Sequence, residues 1–104
     1  MNMPNSAMVL AKVDQIEAEL HNLNWWHSEP LKPEQFDFHA AFAMDTMTFS
    51  QWLQFIFIPK VRAAAEQNHF PLQSQVAAQA IREFDAFPEA SQLITLLLEF
   101  DALF

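Results

Sequence analysis

The chain has no glycine and no cysteine, only five cations against thirteen acids, and no apolar run long enough to cross a bilayer. Each shortage excludes something. Tight β-hairpins spend glycine where the backbone needs positive φ, so a glycine-free chain is hard to build from strands. Helices joined by Pro- and Asn-containing turns need it far less, and the expected class is all-α. Without cysteine there is no disulfide framework, no thiol chemistry and no thiolate ligand for a structural zinc site. The formal net charge of −8 disfavours direct binding to nucleic acid, whose phosphates demand a basic footprint, and to anionic membranes. The longest apolar stretch near the end, Leu93 to Leu98, is about a third of a membrane span and is broken by Glu99. The opening residues MNMPNSAM lack the charged and apolar regions of a signal peptide, so the expected location is cytoplasmic.

What is present is core material. Of 104 residues 52% are hydrophobic, including eleven Phe and three Trp, enough to close one domain over residues 1–104. Four helices are expected, at about 6–24, 48–68, 74–86 and 88–103. In the first, Val9, Val13, Ile16, Leu20 and Leu23 alternate at spacings of four and three, the stripe of a helix lying along its neighbours. Pro30 and Pro33 forbid a continuous helix through the following stretch. Its aromatics Trp25, Trp26, Phe36, Phe38 and Phe42 suit a long loop that lies along the bundle and caps one end of the core.

The second helix opens on Thr48-Phe49-Ser50-Gln51, a capping box in which hydroxyl and amide satisfy each other's backbone donors. Trp52, Leu53, Phe55, Ile56, Phe57, Ile58 and Val61 make it apolar nearly all round, as a central element should be. Pro59 lies inside it and deletes one N–H, so the helix is expected either to kink and continue or to stop at Ile58 and restart. The third helix presents Val76, Ala77, Ala80, Ile81 and Phe84. The fourth begins on Pro88 and turns Ala90, Leu93, Ile94, Leu97, Phe100 and Phe104 inward.

Residues that could carry chemistry are few. Glu66 and His69 have the spacing of half a di-iron carboxylate site, but the second half is missing and the pair sits at a helix end. The serines lack the glycines of a nucleophile elbow, and a phosphate-cradling loop is excluded on the same ground. No catalytic residue, metal ligand or cofactor is expected. Asp45 and Thr46 stand out as two polar residues between Met44 and Met47. Either they bond local backbone and set the angle at which the second helix begins, or Asp45, with Phe42, Met44, Thr46 and Trp52, lines a groove for a partner or ligand.

The segment AFAMDTMTFSQWLQFIFIPKV, from Ala41 to Val61, resembles the signature of the YqcC-like proteins, small bacterial all-helical proteins. The terminal Phe100-Asp101-Ala102-Leu103-Phe104 is similar to the family's final motif, and the likeness extends over most of the chain. The resemblance implies a closed helical bundle of unknown function, often encoded beside a tRNA pseudouridine synthase, and it transfers no catalytic residue. Charge, the five acids that follow Arg82 with no base among them, and surplus aromatics together point to a non-catalytic interaction module for a basic protein, and the resemblance implies an RNA-modifying enzyme as that partner. A binder of a small apolar ligand within the bundle is the alternative, and an enzyme ranks third. A homodimer is as compatible with the composition as a monomer.

Overall fold

The computed structural model describes residues 5–71 and 73–104, and among them there are helices, turns and loops but no strand. Helix α1 is Ser6–Asn22. Helix α2 spans residues 49–66 in three consecutive segments, Phe49–Trp52, Leu53–Phe57 and Ile58–Glu66. Helix α3 is Val76–Glu83, and α4 is Ser91–Asp101, entered through a 3-10 turn at Pro88–Ala90. Two further 3-10 turns, Pro33–Phe36 and Ala41–Ala43, punctuate the long loop before α2. The fold class is the all-α bundle expected from the missing glycine. Its helices are each a few residues shorter than the sequence pattern suggested.

Helix α1 lies against the second half of α2 and against α4, and α3 packs on α4. The stripe read from the sequence is the innermost surface of the molecule: Val9, Val13, Ile16 and Leu20 are all fully buried. They meet Leu53, Phe57 and Ile58 of α2, Ala77 and Ala80 of α3, and Leu93, Leu97 and Phe100 of α4 in one core. Burying such aliphatic side chains stabilises the fold by about 1.5–3 kcal/mol each. Helix α2 is not buried all round. Trp52, Phe55, Ile56 and Val61 keep part of their surface in water, and Pro59 and Lys60 are exposed. Ile81, expected on the inner face of α3, is also exposed: the buried face of this short helix runs along Val76, Ala77 and Ala80 and does not reach it.

Pro59 neither stops α2 nor makes it restart. The segment just before it, Leu53–Phe57, forms a π-helical turn, and the Ile58 N–H reaches back five residues to the Leu53 carbonyl. The wider turn accommodates a residue that has no N–H and whose ring crowds the preceding turn, and Phe57 and Ile58 on its far side keep helical dihedral angles.

The lack of glycine is met by asparagine. Asn24 and Asn68 take left-handed conformations, φ 59° and φ 50°, just beyond α1 and α2. At each end the same two bonds close the helix. Trp25 N–H donates to the Leu20 carbonyl and Asn24 N–H to that of His21; His69 and Asn68 N–H donate to Ala64 and Ala65. This is the double closure usually built around glycine. Phe42 and Ala43 are also left-handed, φ 56° and 54°, a conformation costing an L-residue roughly 1–2 kcal/mol. Ala43 is fully buried and Phe42 is wedged against Phe49 and Trp52, and that packing holds the bend.

Polar contacts tie the helices at their edges. Arg62 of α2 forks to Asp14 and Glu17 of α1, at 3.0 Å each. Desolvation alone would lower the pKa of that guanidinium, but the two carboxylate hydrogen bonds outweigh it and raise it. Lys12 reaches Glu99 across α1 and α4 at 2.9 Å.

The start of α3 departs from expectation. Its first turns were expected at Ser74, yet Gln75 is not helical and its side chain makes no cap. The cap comes from α4: Asp101 accepts from Ser74 Oγ at 2.6 Å, Val76 N–H at 3.2 Å and Ala77 N–H at 2.9 Å. A carboxylate at a helix N-terminus satisfies donors that the helix itself cannot.

Candidate functional site

Several polar residues of the 41–61 segment bond the long loop or close the start of α2. Asp45 accepts from the backbone N–H of His39 at 2.9 Å and of Ala40 at 3.3 Å. The His39 bond is the main reason its carboxyl titrates below the ordinary value. Thr46 Oγ1 donates to the Gln35 carbonyl at 2.6 Å, and Gln35 Nε2 returns a bond to the Thr46 carbonyl at 3.1 Å. Thr48 and Gln51 form the capping box as read: Thr48 Oγ1 accepts from Gln51 N–H, and Gln51 Oε1 accepts from Thr48 N–H. Deeper in the helix, Gln54 is buried and grips the His27 peptide with both ends of its amide. Its Oε1 accepts from His27 N–H at 2.7 Å and its Nε2 donates to the His27 carbonyl at 2.9 Å. Gln54 sits inside the π-helical turn, so the irregularity that admits Pro59 also carries the residue that anchors the loop.

The five residues singled out from the sequence lie near one another but do not converge on one space. Phe42 and Trp52 meet edge to face at 4.9 Å, with Trp52 also stacked against Phe49 and Phe57. Asp45 and Thr46 are engaged with loop backbone. Met44 is half exposed on the other side of the bend, its sulfur 3.4 Å from the amide of the buried Gln79. Of the five, only Trp52 lines an apolar groove of about 410 Å³ walled by Phe57, Val61, Phe70, Phe100 and Phe104, with Lys60 also in its lining.

Two other clefts flank His27. One, about 470 Å³, is polar and is lined by Ser28, Glu29, Lys32, Gln35 and Gln51. The other, about 360 Å³, has Trp25, Phe84 and Phe87 as aromatic walls and Asn24, Ser50 and Glu83 among its polar lining. His27 Nε2 lies 3.2 Å from Ser50 Oγ between them. The aromatic cleft has no local signature, since it joins Trp25 to residues some sixty positions away. Among the described residues no group of three or more His, Asp or Glu lies close enough to hold a metal ion. No helix there is long and apolar enough to cross a membrane.

These features define a small all-α bundle with a long loop bonded to its second helix and open clefts beside that loop. The chain belongs to the DUF446 family, the YqcC-like proteins: the family model, described as "tRNA pseudouridine synthase C", matches residues 8–103. An uncharacterised protein of Haemophilus influenzae is 31% identical over 96 residues, 88% of this chain and 87% of the relative. The uncharacterised protein YqcC of Escherichia coli is 29% identical over 99 residues, 92% of this chain and 90% of YqcC. The solution NMR structure of YqcC superimposes with a TM-score of 0.86 at 26% identity, covering 97% of this chain and 88% of that one. A protein of Pectobacterium carotovorum named tRNA pseudouridine synthase C is 31% identical over 66 residues, 64% of this chain but 18% of the relative.

Proposed function

We propose that this chain is a non-catalytic protein-interaction module that works in the cytoplasm beside a tRNA-modifying enzyme. The observation that carries the proposal is the Pectobacterium relative: the matching stretch is less than a fifth of a longer polypeptide that bears a synthase name. A bundle whose counterpart is a minor part of a longer chain suits an accessory domain. Charge supports the same reading. An enzyme that grips tRNA presents a basic surface, and a chain of net charge −8 is its electrostatic complement. Asp45, Thr46 and Gln54 bond the backbone of the long loop, which also favours a scaffold.

The test is capture of a purified tRNA pseudouridine synthase C by the tagged chain. A stable complex is expected at low ionic strength and its loss at high ionic strength. No capture at low salt overturns the proposal, and pseudouridine formation in tRNA by the chain alone overturns its non-catalytic part. A second reading rests on the apolar groove, whose volume falls in the range of small-molecule sites. In that reading the groove takes a small apolar ligand, and filling it by Ala64→Trp abolishes retention of that ligand.

A further inference from the structure

We propose that the aromatic cleft between the C-terminus of α1, the N-terminus of α2 and the end of α3 receives an arginine side chain of a basic protein partner. The inference deepens the reading above by naming the surface. The cleft combines two things a guanidinium needs. Trp25, Phe84 and Phe87 form a connected aromatic wall, with Trp25 4.8 Å from Phe84 and 5.8 Å from Phe87 between ring centroids. Trp25 is half-buried, and Phe87 keeps 46% of its surface in water, open to a partner.

The second element is charge. Glu83 lies in the lining and is only partly exposed. One of its oxygens accepts from Gln79 at 2.9 Å, and among the described residues no cation of the chain pairs with it. The nearest charged residues in sequence on its C-terminal side, Asp85 and Glu89, are acidic and exposed as well. The hydroxyls of Thr48 and Ser50 and the amide of Asn24 complete the lining with further acceptors. A planar cation stacks on aromatic faces while its N–H groups bond a carboxylate, which an ammonium does less well. The apolar groove by Trp52 offers no such match, since its lining includes a lysine.

The probe is a short capped peptide of alternating arginine and glycine, compared with the same peptide carrying citrulline, which keeps the shape and removes the charge. Titration followed by NMR should move the Trp25 indole and Phe87 ring signals. Citrulline, Glu83→Gln and Phe87→Ala should each weaken binding about tenfold. Asp37→Asn, an exposed acid outside the cleft, should leave it unchanged. Equal binding of the citrulline peptide, an equal loss with Asp37→Asn, or no shift at Trp25 overturns the inference. Glu83→Gln and Phe87→Ala are then carried into the synthase capture. Undiminished capture removes the cleft from the interface while leaving the partner standing. Peptide binding without synthase capture does the reverse.

Discussion

Helices α2 and α3 begin in opposite ways. The N-terminus of α2 is closed from within four residues by Thr48 and Gln51. That of α3 has no cap of its own and is closed by Asp101, a residue 24 to 27 positions later on another helix. Both solve the same problem, the unpaired N–H groups of a first turn. The local solution makes α2 self-sufficient at its start. The distant one makes α3 depend on α4, so the eight-residue α3 forms only when the bundle closes. Short helices are marginal alone and draw their stability from tertiary contacts.

The comparison breaks most visibly at Asp101. Asp101→Ala leaves three donors without their acceptor and removes a favourable charge from a helix N-terminus. The expected cost is about 2–3 kcal/mol, or a fall of roughly 10 °C or more in Tm for a domain of this size. Chemical and thermal unfolding measure it, and hydrogen exchange should locate the loss at Val76 and Ala77. Next comes Gln54→Leu, which keeps the volume but orphans both polar groups of the His27 peptide, at about 2 kcal/mol. Its signature is rapid exchange of the His27 amide while the α1 core stays protected. Thr48→Ala should cost less, about 1 kcal/mol, because neighbouring waters can replace an exposed cap. An Asp101→Ala penalty no larger than that of Thr48→Ala would show that α3 does not lean on α4.

The same contrast sets how much of the molecule could be read before its fold was known. The α1 stripe and the Thr48 box were legible because both are written in residues three or four apart. So was the class, since a chain without glycine has to close its helices by other means, and Asn24 and Asn68 do so just past the helical segments. Asp101 was invisible as a cap: in sequence it is one more acid in an acidic tail, and only the packing of α4 on α3 brings it to Ser74. Gln54 was hidden in a different way. On a regular helical wheel it reads as a polar interruption of an apolar face, and its burial follows from the loop laid over it. Ile81 misled because helical spacing shows which residues share a side, not how wide a neighbour covers it. Of the candidate residues, Phe42 and Trp52 meet, a contact that the structure supplies. The cleft formed by Trp25, Phe84 and Phe87 required contacts across nearly sixty positions.

Asp45 gives the smallest and most specific contrast, because it caps loop backbone and no helix. Its carboxylate accepts from His39 and Ala40, and its pKa is lowered in the folded chain, first by the His39 bond. A carboxyl depressed on folding contributes stability above its unfolded pKa, near 3.9, and loses that contribution as the pH falls through the lower folded value. Asp45→Asn should therefore be less stable than the parent at neutral pH, and the difference should shrink as the solution is acidified below about pH 4. The residue is fully exposed, so the effect is small and best read as a difference between two denaturation midpoints across pH. A constant gap at every pH would mean that Asp45 acts through the geometry of its bonds, a role asparagine cannot copy, and not through its charge.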